Sequence, residues 1–243
     1  MLVHPSSASD RDDFHLDLCA ERQRRDFFAA VSHELKTPLC ALKAQIECML
    51  YGIGDFADRD KHLPEALETA ERLEGLVGEI VLVAGMEADD IDRACEDVSA
   101  AALVQEAVDA WAPRAAERGL AFDADVQGDA IVRANRALVA KALANVIGNA
   151  VTYSPPGAQV SVRLADGTLV VENTGIELSD DELARAFEPF FRAEASRNRA
   201  TGGSGLGLYI AKTAFDRYGI RFALDSANDR VTFWARFPKG RSI

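Results

Sequence analysis

Apolar residues recur along the first part of the chain at spacings of three and four. Phe28, Val31, Leu35, Leu39, Leu42, Ile46 and Met49 fall on one face of a helix expected from about Asp12 to Tyr51. Gly52 to Asp58, with two glycines and two acids, reads as a turn. A second stripe, Leu63, Leu67, Ala70, Leu73, Val77, Ile80 and Ala84, predicts a helix from about Asp60 to Met86. Long seams joined by a short turn make an antiparallel hairpin. Two helices alone leave one side of each seam in water, so the expected state is a homodimer closed into a four-helix bundle.

Glu87 to Asp97 is acidic and turn-like and marks a boundary. Beyond it the periodicity changes. Helices are expected over Ala100–Arg118 and Asn135–Thr152, with an alternating segment at Leu120–Val126 between them. Gln159–Leu164 and Thr168–Asn173 flank a tight turn at Ala165, Asp166 and Gly167, and Arg221–Asp225 with Val231–Phe237 form a second hairpin. The chain therefore reads as α+β: a lead-in over 1–20, a helical hairpin domain over 21–90, and an α/β sandwich over 96–243.

A hydrophobic fraction of 48% over 243 residues supports buried cores without staples. The net charge of −12 argues against a nucleic-acid surface and against an anionic membrane as main partner, so any phosphate site must be built locally. Cys19, Cys40, Cys48 and Cys95 are scattered, without C-x-x-C spacing, and read as reduced cytosolic thiols. No run of eighteen apolar residues and no charged-then-apolar leader occurs, which points to a cytoplasmic chain, membrane-associated only through a sensor region outside it.

Candidate chemistry begins at SHELKTPL, Ser32 to Leu39. At about 100° per residue, His33 lies nearly opposite the apolar seam, with Thr37 one turn later on the same side and Glu34 beside it. Pro38 offers no N–H to the Glu34 carbonyl and loosens the helix there. Viewed alone, His33 fits an ordinary exposed histidine equally well. GGSGLGL, Gly202 to Leu208, runs into a helical stretch, Tyr209–Tyr218, and can present backbone N–H groups to phosphate, with Arg192, Arg197 and Arg199 upstream. Asn145 and Asn149 point the same way on one helix; an amide oxygen there suits magnesium, or the pair is a buried hydrogen-bonding device. Asn173 ends a strand in VVENTG, and FEPFFR, Phe187 to Arg192, packs aromatics around a proline.

In this order the segments resemble the catalytic core of bacterial sensor histidine kinases, from about Arg22 to Phe237. The wording FFAAVSHELKTPL and SRNRATGGSGLGLYI is similar to sensor kinases of the vancomycin-resistance type. The resemblance implies a dimerisation and phosphotransfer domain followed by an ATP-binding domain of the Bergerat (GHKL) type, shared with gyrase and the ninety-kilodalton heat-shock chaperones. It implies autophosphorylation of His33 from ATP and Mg2+, Glu34 orienting the proton on the other ring nitrogen, and Thr37 orienting water to dephosphorylate a partner. Asn145, Asn149, Tyr153, Asn173, Gly175, Arg192, Gly203, Gly205, Leu206 and Gly207 become the nucleotide-binding positions, with Asn149 on the metal and Asn173 on adenine. The phosphoryl group would pass to an aspartate of a response regulator.

Three departures stand out: Asn173 replaces the family's adenine-reading aspartate, Glu177 a glycine, and Thr152 a frequent basic residue. They motivate the rival reading, a non-catalytic or phosphatase-biased dimeric scaffold that binds a regulator. His33, Glu34, Asn149 and the complete glycine loop oppose it.

Overall fold

The computed structural model describes residues 8–86, 94–193 and 203–238, with side chains described from residue 25 onward. These residues form two compact units, the first ending at Ile80 and the second beginning at Val81. The expected boundary segment lies partly outside them, as do Gly202, Arg197 and Arg199.

The first unit holds the hairpin as far as Ile80 of its second helix. Helix α1 spans Ala8–Tyr51 and α2 spans Arg59–Met86, with a 3-10 turn at Gly54–Ala57 between them. Gly52 and Gly54 take φ of +63° and +59°, the left-handed backbone that reverses the chain. Helix α1 has no basic residue in its last turn. Instead, the Arg59 guanidinium donates to the carbonyls of Met49 (3.0 Å) and Leu50 (3.4 Å), which would otherwise be orphaned.

Burial does not follow the expected stripes: only Val31 and Met49 of the α1 seam are buried and none of the α2 stripe is, a correction to the seam expected from periodicity. Phe27, Val31 and Met49 of α1 and Ala66, Leu76 and Val83 of α2 are buried within the chain. Phe28, Leu39 and Ile46, with Leu63, Leu67, Val77 and Val81, are roughly half exposed or more. Ala66, Leu76 and Val83 each precede a stripe residue by one, and spacing alone does not say which of two neighbouring apolar faces packs within the chain.

The second unit carries a five-stranded sheet of order β2-β4-β5-β7-β6: β2 Ala121–Val126, β4 Gln159–Ala165, β5 Thr168–Thr174, β6 Arg221–Ser226 and β7 Arg230–Arg236. Strand β2 runs parallel to β4, and every other pairing is antiparallel. The two expected hairpins are present and meet along β5 and β7. Helices α3 (Ala100–Glu117), α4 (Arg136–Tyr153) and α6 (Gly207–Arg217) form the second layer, with α4 packed against both α3 and α6. Leu143, Ile147 and Val151 of α4, Ile210 and Phe215 of α6, and Leu164, Leu169 and Phe233 of the sheet fill the core between the layers.

Periodicity missed three elements. Strands β1 (Cys95–Ser99) and β3 (Ile131–Asn135) pair antiparallel as a separate ribbon, so Cys95–Asp97, expected as turn, is strand. Both strands are short and carry charges, and only their mutual pairing defines them. Helix α5 (Asp180–Arg185) is a short turn fixed by a capping box between Ser179 and Glu182.

Candidate functional site

The geometry around His33 is local to α1. The imidazole is 78% exposed, and its Nδ1 lies 3.2 Å from Glu34 Oε1. That contact selects the tautomer with the proton on Nδ1 and directs the Nε2 lone pair away from the carboxylate. Thr37 Oγ1 donates to the His33 carbonyl at 3.4 Å, and Pro38 follows inside the helix. The hydroxyl, the imidazole and the carboxylate thus share one stretch of helix surface. Imidazole presented this way can act as a nucleophile, with a carboxylate within reach of its other nitrogen.

The candidate nucleotide site is assembled from four segments of the second unit. Helix α4 starts on the Asn135 side chain, which caps Leu138 N–H at 3.2 Å, and turns its apolar face into the core. Asn145 and Asn149, on the same helix, are half-buried. Asn145 Nδ2 donates to the Gly207 carbonyl at 3.1 Å, joining α4 to the first residue of α6. The amide oxygen of Asn149 is a hard donor of the kind a magnesium–phosphate complex takes as one ligand.

Asn173, near the end of β5, is 4% exposed, and its Nδ2 is buried without a hydrogen-bond partner. A buried amide left unpaired costs about 1–3 kcal/mol, so it points to a ligand group that completes it. Its terminal amide can present either nitrogen or oxygen, which suits the mixed donor and acceptor edge of adenine. Gly175, two residues on, has φ of +82°, and a Cβ there would lie 2.6 Å from Pro155 Cγ. Only glycine lets this turn close against the end of α4. Glu177 is exposed, so its side chain does not fill the site.

The glycine-rich loop is equally constrained. A Cβ on Gly203 would stand 2.9 Å from Tyr153 Oη, and one on Gly205, with φ of +77°, would stand 2.7 Å from the Phe190 carbonyl carbon. Phe190 itself adopts φ of +64° and donates its N–H to the Gly205 carbonyl at 3.0 Å. A left-handed backbone at a bulky residue is strained and persists only because its surroundings hold it. Leu206 is fully buried, backbone included, and packs the start of the following helix. Helix α6 begins at Gly207, two residues earlier than expected, with Leu206 as N-cap. Burial raises the Tyr153 hydroxyl pKa, partly offset by the charge of Arg192, and the phenol therefore stays neutral in the site.

The structure thus gathers Asn145, Tyr153, Arg192, Gly203, Gly205 and Gly207 around the end of α4, with Gly175 on Pro155 beside it. It also reveals two constraints that sequence reasoning missed. A Cβ at Gly148 would collide with the Trp111 ring from α3. The Arg118 guanidinium caps the end of α4, donating to Val151 (3.2 Å), Thr152 (3.0 Å) and Ser154 (3.1 Å). Both are contacts between distant segments, for which no local pattern exists.

The same two-part organisation emerges from comparison with known proteins. The His Kinase A (phospho-acceptor) domain model matches residues 23–89, and the model for histidine kinase-, DNA gyrase B- and HSP90-like ATPases matches residues 134–241. The sensor protein VanSB of Enterococcus faecalis is 35% identical over 222 residues, covering 90% of this chain and 50% of that protein. The sensor-like histidine kinase SenX3 of Mycobacterium tuberculosis is 35% identical over 196 residues, covering 79% of this chain and 48% of its own length. The chain therefore spans about half the length of these relatives. In fold it resembles the histidine kinase ThkA, solved in complex with the response regulator TrrA, with a TM-score of 0.70 at 18% identity over 98% of this chain and 68% of that one. An exposed histidine beside a carboxylate, a glycine-lined site at the end of α4 and these matches together make the chain a member of the sensor histidine kinases, comprising their phosphoacceptor and ATPase domains.

Proposed function

We propose that this chain is an ATP-dependent protein-histidine kinase that phosphorylates its own His33 and hands the phosphoryl group to an aspartate of a response regulator. The observation that carries the reading is the His33–Glu34 contact of 3.2 Å on an exposed helix surface. Nε2 attacks the γ-phosphorus of ATP, the bond to the ADP oxygen breaks, and Glu34 takes or orients the Nδ1 proton as positive charge develops on the ring. Asn173 reads the adenine edge, Gly175 and Gly203 allow close backbone approach, and Asn145 holds the start of α6 in place. Asn149 would hold Mg2+, which when bound neutralises charge on the phosphates. Thr37 orients water for dephosphorylation of the regulator. The exposed apolar face, including Leu39, Ile46, Leu63 and Leu67, supports a homodimer in which a second copy covers it.

The test is incubation of the full chain with γ-labelled ATP and magnesium, beside His33→Ala. Acid-labile, alkali-stable label that disappears in the variant is the expected result. Absence of label from a chain that binds nucleotide would overturn the kinase reading in favour of a regulator-binding scaffold.

A further inference from the structure

We infer that Arg118 is a positioning residue of the nucleotide site, acting through the C-terminal end of α4. The inference rests on the nucleotide-binding reading and assigns a role to a residue distant from the motifs. Helix α4 has no basic residue in its last turn and runs into Ser154, Pro155 and Pro156. Its last carbonyls therefore need donors from elsewhere. Ser154 Oγ serves one, donating to Ala150 at 2.6 Å. Arg118, the residue that ends α3, serves three more with one planar guanidinium that donates to the carbonyls of Val151, Thr152 and Ser154.

These three acceptors flank Tyr153, whose hydroxyl limits Gly203, and begin two residues after Asn149. The same helix end continues into Pro155, the ring against which Gly175 closes. The backbone is tied at the same point, because Gly157 N–H donates to the Gly119 carbonyl at 3.1 Å. A rigid fork on three carbonyls fixes both the rotation and the advance of the helix end, which one flexible ammonium cannot do. Its permanent positive charge also complements the negative end of the α4 dipole. Without the fork the last turn of α4 frays, and Asn149 and Tyr153 lose their fixed distance from Asn173 and Gly175.

The experiment titrates the full chain with ADP and magnesium by calorimetry, for wild type, Arg118→Met, Arg118→Lys and the core control Phe233→Leu, with thermal melting in parallel. Arg118→Met should weaken Kd about tenfold, the lower end of what loss of a supporting residue does to a site. Arg118→Lys should fall between it and wild type. Phe233→Leu should lower Tm while leaving Kd unchanged. Wild-type affinity in Arg118→Met, or an equal loss in Phe233→Leu at matched Tm, would overturn the proposal alone. If Arg118→Met does not fold, Arg118→Lys decides: weakened Kd with a near-native Tm supports the role, and unchanged Kd refutes it. A wild-type chain that binds no ADP removes the nucleotide reading and this proposal together.

Discussion

His33 Nδ1 and Glu34 Oε1 stand 3.2 Å apart on consecutive residues of α1, so the proposed nucleophile and its proposed proton acceptor are carried by the same turn. Glu34→Gln keeps the shape and removes the acceptor charge. Autophosphorylation should slow by about a hundredfold, the lower bound for loss of general-base assistance, with the ATP dependence and Tm unchanged. Rapid-quench labelling measures it, and a wild-type rate would exclude Glu34 from the proton transfer.

Thr37, in the proposed mechanism, separates the two activities. Its hydroxyl makes only a long 3.4 Å bond to the His33 carbonyl, so removing it costs the helix little. Thr37→Ala should retain His33 labelling while slowing loss of phosphate from a phosphorylated regulator. Equal phosphatase rates in variant and wild type would remove Thr37 from the mechanism.

Gly205 is held at φ of +77° against the Phe190 backbone. Gly205→Ala forces a methyl into that backbone and should destabilise the loop by about 1–3 kcal/mol, weakening nucleotide binding more than it lowers global Tm. Hydrogen exchange across residues 203–208 with and without ADP reads the local effect. Unaltered protection would show that the loop absorbs the methyl elsewhere.

His62 links pH to the hairpin. It is 7% exposed, with Nδ1 3.1 Å from Glu65 and Nε2 3.3 Å from Asp55. Its pKa is raised, chiefly by the hydrogen bond to Glu65 and against the cost of burial, while Lys61 chiefly lowers that of Asp55. A raised histidine stabilises fully below its unfolded value of about 6.5 and loses that contribution as pH rises through the folded value. Asp55 stabilises above its unfolded value of about 3.9 and fails as pH falls through its lowered folded value. Hairpin stability should therefore decline from mildly acidic pH towards alkaline pH. His62→Gln should flatten that slope in circular-dichroism melts, and an identical slope would place the titration elsewhere.

Leu67 is 60% exposed on the apolar face of α2. Leu67→Arg puts a charge where a second copy is expected to pack, and the dimer should dissociate in light scattering at micromolar concentration. An undisturbed dimer would move the interface off this face.

The one-dimensional pattern determined a great deal here, because much of the chemistry is local. His33, Glu34 and Thr37 need only a helix to come together, and the Gly-rich loop, the asparagine pair and the two hairpins are each legible within a few residues. Tertiary structure decided what depends on distant segments. It chose which face of each hairpin helix is buried, paired β1 with β3, and joined the two hairpins along β5 and β7. It buried Asn173 with an unpaired amide, seated Gly175 on Pro155, and brought Arg118 across 33 positions to the Val151 carbonyl. The physical reason is that periodicity encodes which way a side chain faces, whereas the partner it meets is set by packing between elements that the sequence keeps far apart.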